Sequence, residues 1–386
     1  MTKTPRKHRS PHRRAASPQP ATESGATISF AARLLAWWDM HGRKDLPWQS
    51  QRTAYRVWVS EIMLQQTQVA TVIGYFQRFT ARFPDVESLA AASQDEVLHH
   101  WAGLGYYARG RNLHRAAQTI CAQFNGELPP TPAELAALPG IGRSTANAID
   151  ALARDGRSPI LDGNVKRVLA RWGGINGWPG NSEVESRLWQ ISADVLPEAR
   201  LADYTQAIMD LGATLCTRSK PDCTNCPLNT DCVAARTDQT TTLPTPRPKR
   251  DLPEREISMW VVVCEGATLL QLRPPSGIWG GLWGFPESAT VPAQAIHDRQ
   301  TAVLEQLGLA RAIQEPPTPL PTFTHAFTHF RLRIEPLLVQ LPGCISEQHS
   351  RLAEPDQFMW YRGGEQRVGL SAVVTRVLEG LRRASA

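Results

Sequence analysis

The chain has 386 residues, 42% of them hydrophobic, with 42 Lys and Arg against 36 Asp and Glu, which is enough for two domains with separate cores. Six of the basic residues (Lys3, Arg6, Lys7, Arg9, Arg13 and Arg14) precede the first acid, so the rest of the chain carries 36 charges of each sign and any nucleic-acid partner must be met by a local patch. No apolar run, Met259 to Cys264 included, is long enough for a signal peptide or a membrane span, and four clustered and three scattered cysteines do not make a secreted disulfide framework; a cytoplasmic protein is expected.

Residues 1–26, rich in Pro, Ser and basic side chains, read as a disordered tail. Phe30 to Trp38 predicts an amphipathic helix, and the turn Gly42 to Trp48 follows. Tyr55, Val59, Ile62, Gln66, Ile73 and Phe76 recur near 3.6 and predict one long helix from Tyr55 to Phe79. Glu61, Gln65 and Gln68 line up beside its apolar face, a pattern that by itself describes a solvated stripe. Further on, Gly103-Leu-Gly-Tyr-Tyr lies in a stretch without acids between Glu96 and Glu127, where Arg109, Arg111 and Arg115 occur. Aromatics beside local basic residues suit base stacking and phosphate contact, while Tyr106 alone is as well explained as a core residue.

Thr131, Pro132 and Glu134 predict an N-cap, a first helical residue and a returning capping-box carboxylate. The short helix stops at Pro139, Gly140-Ile-Gly142 turns the chain, and a second helix begins at Arg143. Taken alone this is an ordinary αα-turn. It is also a device for presenting bare N–H groups of a helix N-terminus to a phosphate. Asp162, eighteen residues after Ser144, opens another helix whose Val165, Val168, Leu169 and Trp172 fall at core spacing. A phosphate cradle followed by a fixed carboxylate points to an enzyme acting on nucleic acid.

Cys216, Cys223, Cys226 and Cys232 fall within seventeen residues punctuated by Pro221 and Pro227, which predicts a metal site, with zinc admissible on ligand type. Cys121, Cys264 and Cys344 read as fillers of apolar sites. Residues 237–256 turn to Thr, Pro and charges and predict a linker. Beyond it, Ile257–Val263 and Thr268–Leu272 read as strands, and Phe330, Leu332 and Ile334 alternate with Arg331, Arg333 and Glu335. The fold expected is an all-α domain over 27–236 and an α+β domain over 257–386.

LPGIGRSTA with LDGNVKRVLAR resembles the helix-hairpin-helix DNA glycosylases of the endonuclease III superfamily, and from about Phe30 to Leu381 the chain most resembles the adenine DNA glycosylase family. The resemblance implies that Glu61 protonates adenine N7, that ionised Asp162 faces the charge developing at C1′, and that Asn164 orients the reacting groups. Trp48, Leu64, Val69 and Gln206 would form the adenine pocket, with Gln206 reading the base edge. Gln66 and Tyr106 would wedge into the base stack while Gly140, Gly142, Arg143 and Ser144 contact DNA. A lysine matches Ser144 in lyase relatives, and serine cannot form their Schiff base, so a monofunctional enzyme is implied. The cysteine spacing is similar to the family's [4Fe–4S] loop.

Arg273 to Pro286 resembles the opening of a Nudix fold. In Thr301-Ala-Val-Leu-Glu-Gln-Leu-Gly308, however, Ala302 and Gln306 stand where metal-binding glutamates belong, leaving Glu305, too few oxygens for Mg²⁺. A domain kept for recognition is implied, with Phe327, Thr328 and His329 matching the Phe-Ser-His motif that meets 8-oxoguanine, except that Thr328 departs from the usual serine while retaining a hydroxyl. The expected partner is duplex DNA carrying A opposite 8-oxoguanine or guanine, bound by a monomer. Four alternatives are a bifunctional lyase, a thymine glycosylase for T opposite G, a non-catalytic iron-sulfur module, and a working Nudix hydrolase. Ser144, the Nudix-like domain, the pair Glu61 and Asp162, and the missing glutamates speak against them in turn.

Overall fold

A computed structural model describes residues 29–248, 251–290, 295–309, 315–343, 352, 357–364 and 366–385. The basic tail and Cys344 lie outside the described residues. Among the described residues twelve α-helices precede the first strand: α1 Phe30–His41, α2 Ala54–Leu64, α3 Val69–Arg82, α4 Val86–Ala91, α5 Gln94–Trp101, α6 Ala108–Phe124, α7 Pro132–Ala137, α8 Arg143–Arg154, α9 Gly163–Trp172, α10 Ser182–Asp194, α11 Leu201–Thr214 and α12 Val233–Arg236. Their starts follow local chemistry. Ser29, Thr53, Asp85, Ser93, Thr131, Asp162 and Asn181 each accept a first-turn N–H from the N-cap position. The Thr131–Glu134 capping box forms as its spacing predicts.

The single helix expected over Tyr55–Phe79 is instead two, α2 and α3, separated at Gln65–Gln68 with Gln66 at φ 56°. Apolar periodicity runs through the break because both helices bury a face in the same core: Val57, Ile62 and Met63 from one, Val72, Phe76 and Phe79 from the other. The stripe of Glu61, Gln65 and Gln68 is correspondingly dismantled. Glu61 stays on α2, Gln65 is its C-cap, and Gln68 is the N-cap of α3.

The second unit is an eight-stranded mixed sheet: β1 Glu254–Cys264, β2 Ala267–Leu272, β3 Trp283–Gly284, β4 Glu287–Ser288, β5 Thr318–Pro319, β6 Phe323–Ala326, β7 Arg331–Gln340 and β8 Phe358–Tyr361. β1 and β7 pair in parallel from Glu254–Arg331 to Val263–Gln340; the other paired strands are antiparallel. Along β1 the side chains alternate between two cores. Trp260, Val262 and Cys264 face α13 (Ile296–Gln306), and Met259 and Val261 face α14 (Ala372–Ser385). A strand covered on both faces reads as the continuous apolar run that Met259–Cys264 is.

The units are docked through side chains. Leu282, fully buried, belongs to the core of the helical unit. Trp283 Nε1 donates to Asp95 Oδ2 at 3.3 Å, and Tyr107 Oη donates to Leu370 O at 3.0 Å. The stretch read as a linker is anchored in its first half. Leu243 is buried, its carbonyl accepts Arg171 Nε at 2.8 Å, and Thr245 Oγ1 accepts Gly177 N–H.

Candidate active site

The end of α2 and the loop after it, the first turns of α8 and α9, and α11 line a cavity of about 440 Å³. Trp48, Leu64, Val69 and Met209 give it apolar walls, and Glu61, Asp162, Asn164, Ser144, Gln66 and Gln206 bring polar groups to it. Among the described residues no donor reaches the Glu61 carboxyl. Burial, with a smaller push from Asp162, raises it to about 8, so Glu61 holds its proton at neutral pH.

Asp162 is the N-cap of α9 and accepts Val165 N–H at 2.7 Å and Asn164 Nδ2 at 3.4 Å. Burial pushes it up too, but the Val165 N–H, the Arg167 guanidinium and the Asn164 amide act the other way. Because hydrogen bonds to the charged form favour it, the proton that this pair holds resides on Glu61. Asn164 Oδ1 in turn accepts Arg167 Nη2 at 2.8 Å, and Arg167 also donates to Gly212 O at 2.6 Å and Cys216 O at 2.7 Å. Ser144 is tied to the same segment, its Oγ accepting Leu161 N–H at 3.0 Å. Gly212 permits this packing, since a Cβ there would stand 2.7 Å from the Asn164 Cβ.

Gln206, 5% exposed, donates Nε2 to Asp210 Oδ1 at 2.9 Å. Asp210 is fully buried and also accepts Trp38 Nε1, Arg43 N–H and the Arg43 guanidinium. A carboxylate accepts only, so this contact fixes the Gln206 amide with its NH₂ toward Asp210 and its oxygen free for a donor in the cavity. Sequence reasoning missed Asp210 and Arg43. The signal available for Asp210 was a carboxylate on the apolar stripe of α11, among Ala207, Ile208 and Leu211. Nothing local in Gly42-Arg43-Lys44 marks Arg43.

Gln66 and Tyr106 are exposed and both have positive φ, 56° and 46°, a sparsely populated conformation for such side chains. Arg109 is buried under them and Arg111 donates to Gly280 O in the second unit, so of the basic run only Arg115 lies on the surface. The expected phosphate-contacting stretch is therefore corrected: the carbonyls available to Arg109 and Arg111 draw those guanidinia inward. At the hairpin, Gly140 has φ 78°. Gly142 caps α8 without a side-chain bond, leaving first-turn N–H groups open. Arg143 lies exposed beside them, its guanidinium 4.0 Å from the centre of the Trp189 ring.

The four cysteines line one small apolar cavity beside Arg171, whose Nη1 donates to Cys216 Sγ at 3.3 Å. Burial and neighbouring thiols raise Cys223, Cys226 (to about 12) and Cys232, so a cation is needed to keep them as thiolates. Among the described residues no group of three such ligands converges as for a single ion. Four thiolate donors around a void suit an iron-sulfur cluster, and on ligand type they suit zinc as well.

In the second unit, Phe327 stacks on Phe330 (4.6 Å between centres) and meets Trp279 at 5.4 Å and His325 at 4.7 Å. Thr328 and His329 are exposed, with Thr328 Oγ1 3.4 Å from His329 Nδ1. Glu305 is exposed on α13, and no metal-holding group accompanies it among the described residues.

Comparison with known proteins agrees with this architecture. Residues 59–193 match the HhH-GPD superfamily base excision DNA repair protein model, and residues 258–380 match the NUDIX domain model. An adenine DNA glycosylase of Buchnera aphidicola subsp. Acyrthosiphon pisum is 37% identical over 359 residues, covering 92% of this chain and 98% of its own. That of Rattus norvegicus is 36% identical over 375 residues, covering 82% of this chain and 71% of its own. Among solved structures, a thermostable thymine-DNA glycosylase has 24% identity and a TM-score of 0.49 over 54% of this chain and 95% of its own. With such identity over nearly its whole length, the chain belongs to the adenine DNA glycosylase family of base-excision-repair enzymes.

Proposed function

We propose that this enzyme removes adenine from duplex DNA where adenine faces 8-oxoguanine or guanine, leaving an abasic site in an unbroken strand. The observation that carries the reading is the pair Glu61 and Asp162 on one cavity, the first held neutral by burial and the second supplied with donors. Glu61 gives its proton to N7, the N9–C1′ bond breaks with its electron pair leaving on adenine, and the Asp162 carboxylate faces the oxocarbenium ion. Water adds to C1′, and its released proton restores the Glu61 carboxyl. The free oxygen of Gln206 suits the N6 amino group of adenine and opposes the O6 acceptor of guanine. Among the described residues lining the cavity there is no lysine, which favours hydrolysis without strand cleavage.

Opposite-base reading is assigned to Phe327, Thr328 and His329, and DNA entry to Gln66, Tyr106 and the hairpin. The four cysteines would hold a [4Fe–4S] cluster, which when bound braces the loop next to Arg171 and Arg167 and exchanges no electrons with the reaction. The protein acts as a cytoplasmic monomer in this reading. The test uses three duplexes, with A opposite 8-oxoguanine, A opposite G and T opposite G, scoring free base and strand breaks separately. Adenine release from the first two without breaks is expected. Thymine release, or breaks that track base release, overturns the assignment.

A further inference from the structure

Arg109 is 8% exposed and lies on α6, yet no carboxylate is paired with it among the described residues. Its two Nη groups are instead met by oxygens of two separate segments, while Nε has no partner among the described residues. Nη1 donates to the carbonyls of Ile62 (3.0 Å), Met63 (2.8 Å) and Gln65 (2.5 Å), the uncapped end of α2. Nη2 donates to Thr67 Oγ1 (3.1 Å), on the far side of Gln66, and to the carbonyls of Leu104 (3.0 Å) and Gly105 (3.2 Å), which precede Tyr106. The Trp101 and Tyr106 rings lie over the same guanidinium at 5.5 and 5.6 Å. Burial lowers Arg109 to about 10, so the charge that draws these carbonyls inward persists at neutral pH.

We propose that Arg109 is the positioning residue that sets Gln66 and Tyr106 at one fixed spacing, so that both enter the duplex together and base extrusion depends on it. Gln66 and Tyr106 each have a left-handed backbone, and such a conformation persists only when its surroundings over-determine it. Here one planar fork holds the Gln65 carbonyl on one side of Gln66, the Thr67 hydroxyl on the other, and the two carbonyls just before Tyr106. A lysine ammonium carries its donors on a single nitrogen and cannot hold both loops at once. Arg109 itself does not line the cavity and reaches it only through the segment around Gln66, so the larger effect falls on bringing adenine out of the stack. This inference rests on the assignment of Gln66 and Tyr106 as the residues that enter the stack.

The full-length Arg109→Lys and Arg109→Met variants are compared with wild type in single-turnover excision on two duplexes. In one, adenine is paired with 8-oxoguanine. In the other, it faces an abasic-site analogue, so little unpairing remains to be done. Because extrusion from a paired stack costs a few kcal/mol, a loss of about tenfold or more is expected on the paired duplex and about threefold or less on the unpaired one. 2-Aminopurine fluorescence at the target should drop in parallel, and thermal unfolding identifies any variant that fails to fold. Equal losses on both duplexes, or no loss on the paired one, overturn the proposal. Gln66→Ala and Tyr106→Ala are run beside them: if these excise from the paired duplex at the wild-type rate, the assignment of the two inserting residues fails, whatever Arg109 does.

Discussion

At the scale of single residues the site is made by unequal treatment of two carboxyls. Glu61 sits where no donor reaches it and is raised to about 8 by burial; Asp162 sits on a helix start and accepts an N–H. The acid in the reaction must be protonated, so excision should fall as pH rises through about 8, a limb that Glu61→Gln removes along with most of the activity. Lesion binding should remain, since an amide has nearly the same shape. Linkage gives the second half of the prediction. The folded pKa of Glu61 lies above its ordinary 4.5, so its contribution to stability is complete below that value and lost as pH climbs through about 8. Glu61→Gln, which cannot ionise, should therefore gain in thermal stability relative to wild type as pH climbs to about 8, and keep that gain above it. A variant that excises at the wild-type rate in single turnover would remove Glu61 from the mechanism.

Helices and loops explain what could and could not be seen in the sequence. Thr131, Pro132 and Glu134 decide α7 from within one turn, and Asp162 caps α9 from its own neighbourhood, so local reading suffices there. The break between α2 and α3 was hidden, because the side chain that bonds its carbonyls, Arg109, comes from a helix more than forty residues away. Asp210 was hidden for a related reason: its partners Trp38 and Arg43 come from the opposite end of the domain. Packing between α9 and α11 gives a prediction that belongs to elements. Gly212→Ala would bring a methyl group to 2.7 Å from Asn164 and displace the amide that bonds Asp162. Excision should fall about 10- to 100-fold with DNA affinity nearly kept, as expected when a reacting group is moved by about an ångström. Near-normal single-turnover rates would mean that the α9 start relaxes without cost.

The cysteine loop is joined to the same packing, because Arg167 donates both to Cys216 O and to Asn164. Protein prepared without oxygen should contain iron and acid-labile sulfide and be brown. Stoichiometric zinc without sulfide would reverse that reading. Cys223→Ser should lower folding yield or DNA affinity before it alters the chemical step, since among the described residues no cysteine lines the Glu61 cavity. Folding yield and DNA affinity unchanged alongside slower excision would place the loop nearer to the chemistry than this packing does.

For the whole molecule, the proposed function requires that an undamaged adenine be removed only when its partner is wrong. In that proposal the cavity around Glu61 takes adenine alone, so discrimination requires a surface that meets the opposite strand. The second unit offers one. Phe327 is locked among Phe330, Trp279 and His325, which makes it a rigid apolar face, and Thr328 and His329 stand exposed beside it. That face is held to the helical unit by Leu282, by Trp283 on Asp95 and by Tyr107 on Leu370, the last from the residue next to Tyr106. 8-Oxoguanine differs from guanine in carrying N7–H and O8, and the Thr328 hydroxyl can accept from that N–H. A Phe327→Ala, Thr328→Ala double variant should therefore excise adenine opposite guanine at close to the wild-type rate while losing most of its preference for adenine opposite 8-oxoguanine. A charge-free hydrogen bond supplies about 0.5–1.5 kcal/mol, so removing Thr328 alone should reduce the ratio of the two rates by about 2- to 13-fold. The undocking variant Trp283→Phe separates reading from attachment: it should weaken the hold on Asp95 and reduce the ratio less than the double variant does. If the double variant keeps the wild-type ratio, the opposite base is read elsewhere and the aromatic face of the second unit serves only to pack the sheet.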